Sequence, residues 1–364
     1  MSSQPHPDPA AHAMNPHLGP SLLLKSPSES TTISQSGVAK YYDANSTAEH
    51  ARLISGKVEF EISLRTVISS LQGEELRIAD IGGGTGRYAV ELAKLGHQVT
   101  LIDISQSELD IAASHAAASN IQLDAIHCAD ASNLFETCPA LSSQIGTFDA
   151  VLLMGPLYHL LEERERERAM GNAGRLLKVG TSGDEGGVEG EEKGGGVLFA
   201  SFVTTFGHLR GVARKDPGRL GREGGFYGGY LGFGSGLGNR GGDGDRDGSM
   251  AGKYTRREEG VVSYHVHPSE IRGLFEKVEV AIPQGKIDGE GQRKGTGKRF
   301  KVEKLVACEG FLGADLAENL NGLEGEEWTA WMGALCRYVG DECVLGASEH
   351  LLAVVRLVNL DVDV

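Results

Sequence analysis

The run Arg77-Ile78-Ala79-Asp80-Ile81, followed at once by Gly82-Gly83-Gly84-Thr85-Gly86 and then Arg87-Tyr88-Ala89, constrains the fold more than any other stretch of the chain. It reads as a short apolar strand closing on a carboxylate, a glycine turn, and the opening of a helix. That order places backbone N–H groups, a helix N-terminus and a negative charge together at the end of a strand. The alternation then continues. Strands are expected at Gln98–Asp103, Leu123–Cys128, Phe148–Met154 and Val197–Phe202. Helices are expected at about Gly86–Leu95, Ser105–Ala118, Leu134–Leu141 and Glu162–Leu177, the second opened by the capping-box spacing Ser105-Gln106-Ser107-Glu108. Alternating strands and helices specify an α/β fold, a doubly wound parallel sheet with right-handed crossovers. Asp80, Asp103, Asp130 and Gly155 then fall along one rim, where a ligand meets the ends of several strands.

Before the first strand, apolar residues recur at helical spacing over Ala48–Leu71. Residues 1–37 are rich in Ser, Pro and His and read as a disordered tail, with the folded domain covering 38–364. Three Gly-rich inserts, at about 180–196, 218–252 and 284–298, read as surface excursions. Between and after them, Val261–His267, Val302–Glu309 and His350–Leu357 are expected strands, and Glu326–Val339 is a helix carrying Trp328 and Trp331. The segment Thr204–Leu220 and the Trp328 helix are expected to cover an acceptor pocket. Five cysteines without a Cys-x-x-Cys pair fit reduced thiols in a cytoplasmic protein with no metal site. A net charge of −15 without a basic stripe argues against nucleic acid as the main partner. No apolar run reaches membrane-spanning length, and nothing in the pattern specifies an oligomeric state.

The glycine turn alone admits two chemistries. Gly84-Thr85-Gly86-Arg87-Tyr88-Ala89 satisfies the dinucleotide pattern G-x-G-x-x-A, and Asp103 follows at the spacing of a ribose-binding carboxylate. A nicotinamide-linked oxidoreductase is therefore one reading. Asp80 directly before the turn favours another, because a carboxylate there opposes a pyrophosphate but suits the ammonium and sulfonium of S-adenosylmethionine (SAM). Asp130, in His127-Cys128-Ala129-Asp130-Ala131, adds a third strand-end carboxylate able to accept from an adenine amine. Asp103 and Asp130 also suit the N-cap position of the helices that follow them.

Asp80-Ile81-Gly82-Gly83-Gly84-Thr85-Gly86, Asp103, Asp130 and Phe148-Asp149-Ala150-Val151-Leu152-Leu153-Met154 resemble the successive motifs of class I SAM-dependent methyltransferases. Gly155-Pro156-Leu157-Tyr158-His159-Leu160 is similar to the segment after strand four in the type-11, ubiquinone/menaquinone-methylase-like branch. The resemblance runs from about Tyr41 to Phe202 and resumes more loosely at Val261–Phe275 and Lys304–Leu357. It implies a Rossmann-like seven-stranded sheet with its last strand antiparallel, and SAM as cofactor. It also implies roles. Gly82, Gly84 and Gly86 would admit the methionyl part, and Asp103 the ribose hydroxyls. Ile104 would pack on adenine, Asp130 would bind the adenine amine, and Ala131 would lie beside the ring. Met154 and Gly155 would pass the sulfonium, and Tyr41 and Tyr42 would close the site. Lys178-Val179-Gly180 departs from the Pro-Gly-Gly turn that is commoner at that place.

Methyl transfer needs an acceptor held in line with the S–CH₃ bond, and a base only where the acceptor must lose a proton. His159 is the candidate base and Tyr158 the residue that orients the acceptor; a structural hydrogen bond for His159 is the alternative. The implied partner is a small-molecule acceptor, with neither nucleic acid nor membrane. A non-catalytic SAM-fold module regulating a partner is a further reading.

Overall fold

The computed structural model describes residues 35–182, 192–193, 195–230, 254–256, 262–282 and 296–359. The expected tail up to residue 34 and the central parts of the three expected inserts lie outside the described residues.

Eight strands form one sheet: β1 Arg77–Ile81, β2 Gln98–Asp103, β3 Ala125–Cys128, β4 Ala150–Leu153, β5 Val197–Val203, β6 Glu279–Ile282, β7 Thr296–Ala307 and β8 His350–Asn359. Their order is β6-β7-β8-β5-β4-β1-β2-β3. The pairs β1–β2, β1–β4, β2–β3 and β4–β5 are parallel, whereas β8 runs antiparallel to both β5 and β7. The doubly wound fold with its last strand antiparallel is therefore present. The sheet has one strand more than the expected seven: β6 adds four residues antiparallel to the start of β7, which begins at Thr296 rather than near Val302. Val262–Tyr264, within the strand expected at Val261–His267, pairs with Tyr254–Arg256 in a separate ribbon, and Val266 bridges to Thr204 just after β5.

The period-two alternation of the central strands divides the core between two faces. Ala79 and Ile81 of β1 and Val151 and Leu153 of β4 face one apolar cluster, together with Ala169, Met170, Ala173 and Leu176 of helix Glu163–Leu176. Ile78, Ala150 and Leu152 face the other. That second face is covered by α2 (Lys57–Ser70), α3 (Arg87–Lys94) and α4 (Gln106–Ala118), through Val58, Ile62, Val67, Leu92, Leu109 and Ala112. Burying each large aliphatic side chain contributes about 1.5–3 kcal/mol, which makes this two-sided packing the main source of the sheet's rigidity. Helix α1 (Gln35–Ser55) precedes α2, and Gly56 breaks the single helix expected over Ala48–Leu71 into two. The helix expected over Leu134–Leu141 stops at Thr137, because Pro139 lacks an N–H and opens a 3-10 turn to Gln144 instead. Among the described residues no helix is long and apolar enough to cross a membrane.

Candidate functional site

The carboxyl ends of β1–β5, with α1 laid across them, border a cavity. Asp80, Gly82, Gly84, Asp103, Ile104, Asp130, Ala131, Met154, Gly155, Tyr42, Tyr158 and His159 line it, so most of the residues singled out in the sequence converge there. Two do not. Gly86 is the N-cap of α3 and packs against Ala112 of α4. Tyr41 meets Tyr42 edge-on, with ring centroids 5.3 Å apart. Neither Thr204–Leu220 nor Trp328 contributes a lining residue; Trp328 lies instead under the Lys57 ammonium, 4.0 Å from the ring centroid.

The glycine turn is wedged between β2 and the loop after β4. Gly82 has φ +72°, and a Cβ there would lie 2.4 Å from Pro156 Cδ; at Gly155 a Cβ would lie 2.5 Å from the Gly82 carbonyl oxygen. The turn's amides are directed inward. Gly82 and Gly83 donate to Ile102 O at 2.7 and 3.3 Å, and Gly84 donates to Asp103 Oδ2 at 2.9 Å. The turn thus offers a ligand close approach to backbone rather than a nest of N–H donors, which corrects the picture of an amide-lined turn.

Carboxylates dominate this end of the cavity. Asp103 also accepts from Ser105 N at 2.9 Å; burial pushes its pKa up, while the amides of Ser105, Gly84 and Ile104 pull the other way. Asp80 is almost fully buried, and among the described residues its Oδ2 has no hydrogen-bond partner. Burial and the neighbouring Asp103 raise the Asp80 pKa to about 7. Glu108 was hidden from sequence reasoning by its own motif. Ser105 Oγ does accept from Glu108 N at 3.2 Å, but Ser105 N is taken by Asp103, so the capping box does not close. The Glu108 side chain faces the cavity instead, with Oε1 unpartnered among the described residues and a pKa raised to about 8 by burial and by Asp103, Glu49 and Asp43. Asp130 does cap the turn Ala131–Asn133: its Oδ1 accepts from Ser132 N and Oγ at 2.8 Å. Its Oδ2 has only a 3.3 Å contact with Asn133 Nδ2 and retains capacity to accept from a ligand.

Helix α1 ties three rim loops together. Tyr42 OH lies 2.7 Å from His159 Nε2, Ser105 Oγ donates to Asp43 Oδ1 at 2.6 Å, and His50 Nδ1 lies 3.1 Å from Thr85 Oγ1. His159 is buried at the cavity wall, edge-on to both Tyr42 and Tyr158. Tyr158 donates to Met154 O at 3.3 Å. Arg166 anchors this loop from below, donating to Leu160 O and Leu161 O at 2.7 Å with its guanidinium over Tyr264.

Sequence reasoning missed Glu49, Arg52, Glu59, Arg87, Tyr88, Ser201 and His350, which also line the cavity. The residues of α1 and α2 carry no motif, and the signal that could have found His350 was its place at the start of the last strand. His350 Nδ1 lies 2.6 Å from Glu309 Oε1, and the buried Glu309 also accepts from Glu349 N and His350 N at 3.0 Å and from Ser348 Oγ. Burial lowers the His350 pKa, but Glu309 outweighs it and the group sits at about 9.

SAM fits this set of residues. Two buried carboxylate oxygens lacking partners, on Asp80 and Glu108, call for a cationic ligand, and Asp103 and Asp130 offer acceptors to hydroxyls and an amine. Residues 78–180 match the family described as "Methyltransferase domain". The chain is 40% identical over 89 residues to a ubiquinone biosynthesis O-methyltransferase of Methylocella silvestris, covering 24% of this chain and 32% of that protein. It is 38% identical over 68 residues to a tRNA 5-carboxymethoxyuridine methyltransferase of Escherichia coli, covering 18% and 26%. The chain thus spans about a third or less of these curated relatives. A solved phosphoethanolamine N-methyltransferase 1 of Haemonchus contortus, in complex with phosphoethanolamine and S-adenosylhomocysteine (SAH), aligns at TM-score 0.47 and 12% identity, over 89% of this chain and 49% of that one.

Proposed function

We propose, on the premise that this chain carries a class I SAM-dependent methyltransferase domain, that it methylates a small-molecule acceptor, and that the rim carboxylates hold the donor. The observation that carries the reading is the buried, unpartnered Asp80 carboxylate oxygen beneath a turn whose amides point away from the ligand. That arrangement repels a pyrophosphate and accepts an ammonium, which favours a methyl donor over a nicotinamide dinucleotide. SAM supplies a methyl group already activated on a sulfonium carbon. Asp103 receives the ribose hydroxyls, Asp130 Oδ2 receives the adenine amine, and Ile104 and Ala131 flank the ring. Gly82 and Gly84 admit the methionyl part, while Met154 and Gly155 border the reacting centre.

At the acceptor, the Tyr42–His159 pair receives the proton: Tyr42 Oη accepts it while passing its own to His159 Nε2. Closing α1 over the rim excludes water from that exchange. His159→Gln is expected to lower kcat about 100-fold while leaving SAH affinity within threefold of wild type, because one positioned base contributes roughly 10²–10⁴ in rate. Full turnover by this variant between about pH 6 and 9 would refute the assignment. The reading as a whole is tested by calorimetry with SAM, SAH and NAD(P), followed by transfer of a labelled methyl group from SAM to a panel of small phenols, amines and carboxylic acids. Binding of NAD(P) in preference to SAM would end it.

The raised Asp80 pKa adds a prediction about pH. An ammonium bound beside Asp80 stabilises the carboxylate, so binding must release a proton wherever the empty site is still protonated. With Asp80 at about 7 in the free protein, SAH affinity is expected to rise between pH 6 and 7.5. Calorimetry in buffers of different ionisation enthalpy is expected to show proton release that diminishes in Asp80→Asn, the remainder coming from Glu108, whose pKa is raised to about 8.

The similarity to a tRNA methyltransferase supports a second acceptor class, a nucleic acid. The net charge of −15 weighs against it, since phosphate neutralisation dominates such binding. Filter binding of unfractionated tRNA at low salt separates the two. All five cysteines are free thiols, which supports placing the protein in the cytoplasm.

A further inference from the structure

The strand order divides the rim into two sides. Asp80, Asp103 and Asp130 stand at the ends of β1, β2 and β3, on one side of β4. On the other side stand β5 and β8, which contribute Ser201 and His350 to the same cavity. Because β8 is antiparallel, its first residue pairs with the last residue of β5, His350 with Val203, and so reaches the same rim. A donor held by the three aspartates leaves the β5–β8 side for the acceptor. The cationic group on that side is His350. His350 is clamped through Nδ1 by Glu309, a buried carboxylate fixed by three further donors, which leaves Nε2 for the cavity. Arg87, at the start of α3 on the β1 side, also lines the cavity, but its guanidinium stacks on Phe60, 3.8 Å from the ring centroid, and reaches Gly56 O at 3.5 Å.

We propose that His350, held by Glu309, forms a recognition site for an anionic oxygen of the acceptor, a carboxylate or an ionised acidic hydroxyl. This rests on the methyltransferase reading and names the chemistry of its acceptor. Among the described residues three carboxylates bear on His350. Glu309, just beyond β7, and Glu349, the residue before β8, favour the imidazolium. Glu59 of α2 does too, but burial drives Glu59 toward its neutral acid, with Arg87 and Arg52 pulling back. Arg52 is paired with Glu49 within α1. Glu309 serves as a positioning residue: it fixes the ring and its charge without facing the cavity.

The test uses the full chain saturated with SAH, near pH 8, where both probes are anions and His350 is still a cation. Benzoate and 4-nitrophenolate are compared by calorimetry with the neutral isosteres benzamide and 4-nitroaniline. At least one anion is expected to bind about tenfold or more tightly than its isostere, as charge-assisted hydrogen bonds require. Preference for benzoate assigns a carboxylate, and preference for 4-nitrophenolate an acidic hydroxyl. In ¹³C-histidine-labelled protein the His350 resonance is expected to move on adding that anion. His350→Gln is expected to abolish the preference with SAH affinity unchanged, and Glu309→Gln to lower the pH at which His350 titrates. Where a variant fails to fold, the wild-type resonance decides alone. Equal binding of anion and isostere, no binding of either anion, or a preference that survives in folded His350→Gln overturns the proposal. Failure to bind SAH removes the methyltransferase reading itself, and is measured first.

Discussion

Asp103→Ala is expected to weaken SAH binding about a thousand-fold. Hydrogen bonds to a charged acceptor contribute roughly 1.5–3 kcal/mol each, and a ribose diol lost from one carboxylate forfeits two of them, a factor of about 10²–10⁴. The same carboxylate also organises the site before any ligand arrives. Its two oxygens accept from Gly84 N and Ser105 N, each at 2.9 Å, and so hold the glycine turn against the start of α4. Alanine leaves both amides without that acceptor. Asp103→Asn separates the two contributions, because its single carbonyl oxygen can keep one amide while losing the charge; its SAH affinity is expected to fall between those of wild type and alanine. Calorimetry at fixed pH reads the result, and a dissociation constant for Asp103→Ala within threefold of wild type would remove the donor site from this rim.

Gly82→Ala is expected to abolish measurable SAH binding and to lower Tm by several degrees. At φ +72° an L-residue pays about 1–2 kcal/mol in backbone strain. The larger effect is steric. The new methyl group would sit 2.4 and 2.5 Å from Pro156 Cδ and Cγ, and a proline ring cannot rotate aside. Pro156 opens the turn whose carbonyl accepts from His159 N at 2.8 Å. Relieving the clash therefore displaces the donor cradle and the His159 loop together. Gly96→Ala is the control. It has φ +91°, but nothing lies within 4 Å of its Cβ position, so it carries the backbone strain without the collision. It is expected to cost a little stability and leave SAH binding unchanged. Equal behaviour of the two variants would show that the turn has slack and that the cradle is not built on this contact.

The part of the cavity at β1–β3 was legible because its residues lie at the ends of consecutive strands, where local pattern and spatial position coincide. Arg77–Ile81 and the glycines after it announce themselves by apolar run and turn chemistry; Asp103 and Asp130 follow at the next two strand ends. The remaining wall was not, because it is assembled from distant segments. His350 comes from the last strand, Ser201 from the fifth, and Glu59 and Arg87 from separate helices, and no spacing along the chain relates them. Glu108 shows a different obstacle: its motif predicted an engagement with Ser105 N that Asp103 had already made. Tyr42 was foreseen as a lid over the donor, but its contact with His159 joins residues 117 positions apart and could only be seen once the chain was folded. The edge strand Glu279–Ile282, four residues beside a Gly-rich stretch, is too short to register as a periodic segment.

Helix α1 is fastened to the rim by side chains: Tyr42 meets His159, Asp43 accepts from Ser105 Oγ and Ser107 N, and His50 meets Thr85, and none of these bonds is a rung of the sheet. On the proposed reading, departure of the spent nucleoside is therefore expected to need one helix to unlatch while the strands stay paired. Loosening the Asp43–Ser105 latch is then expected to shorten product residence without touching the reacting centre.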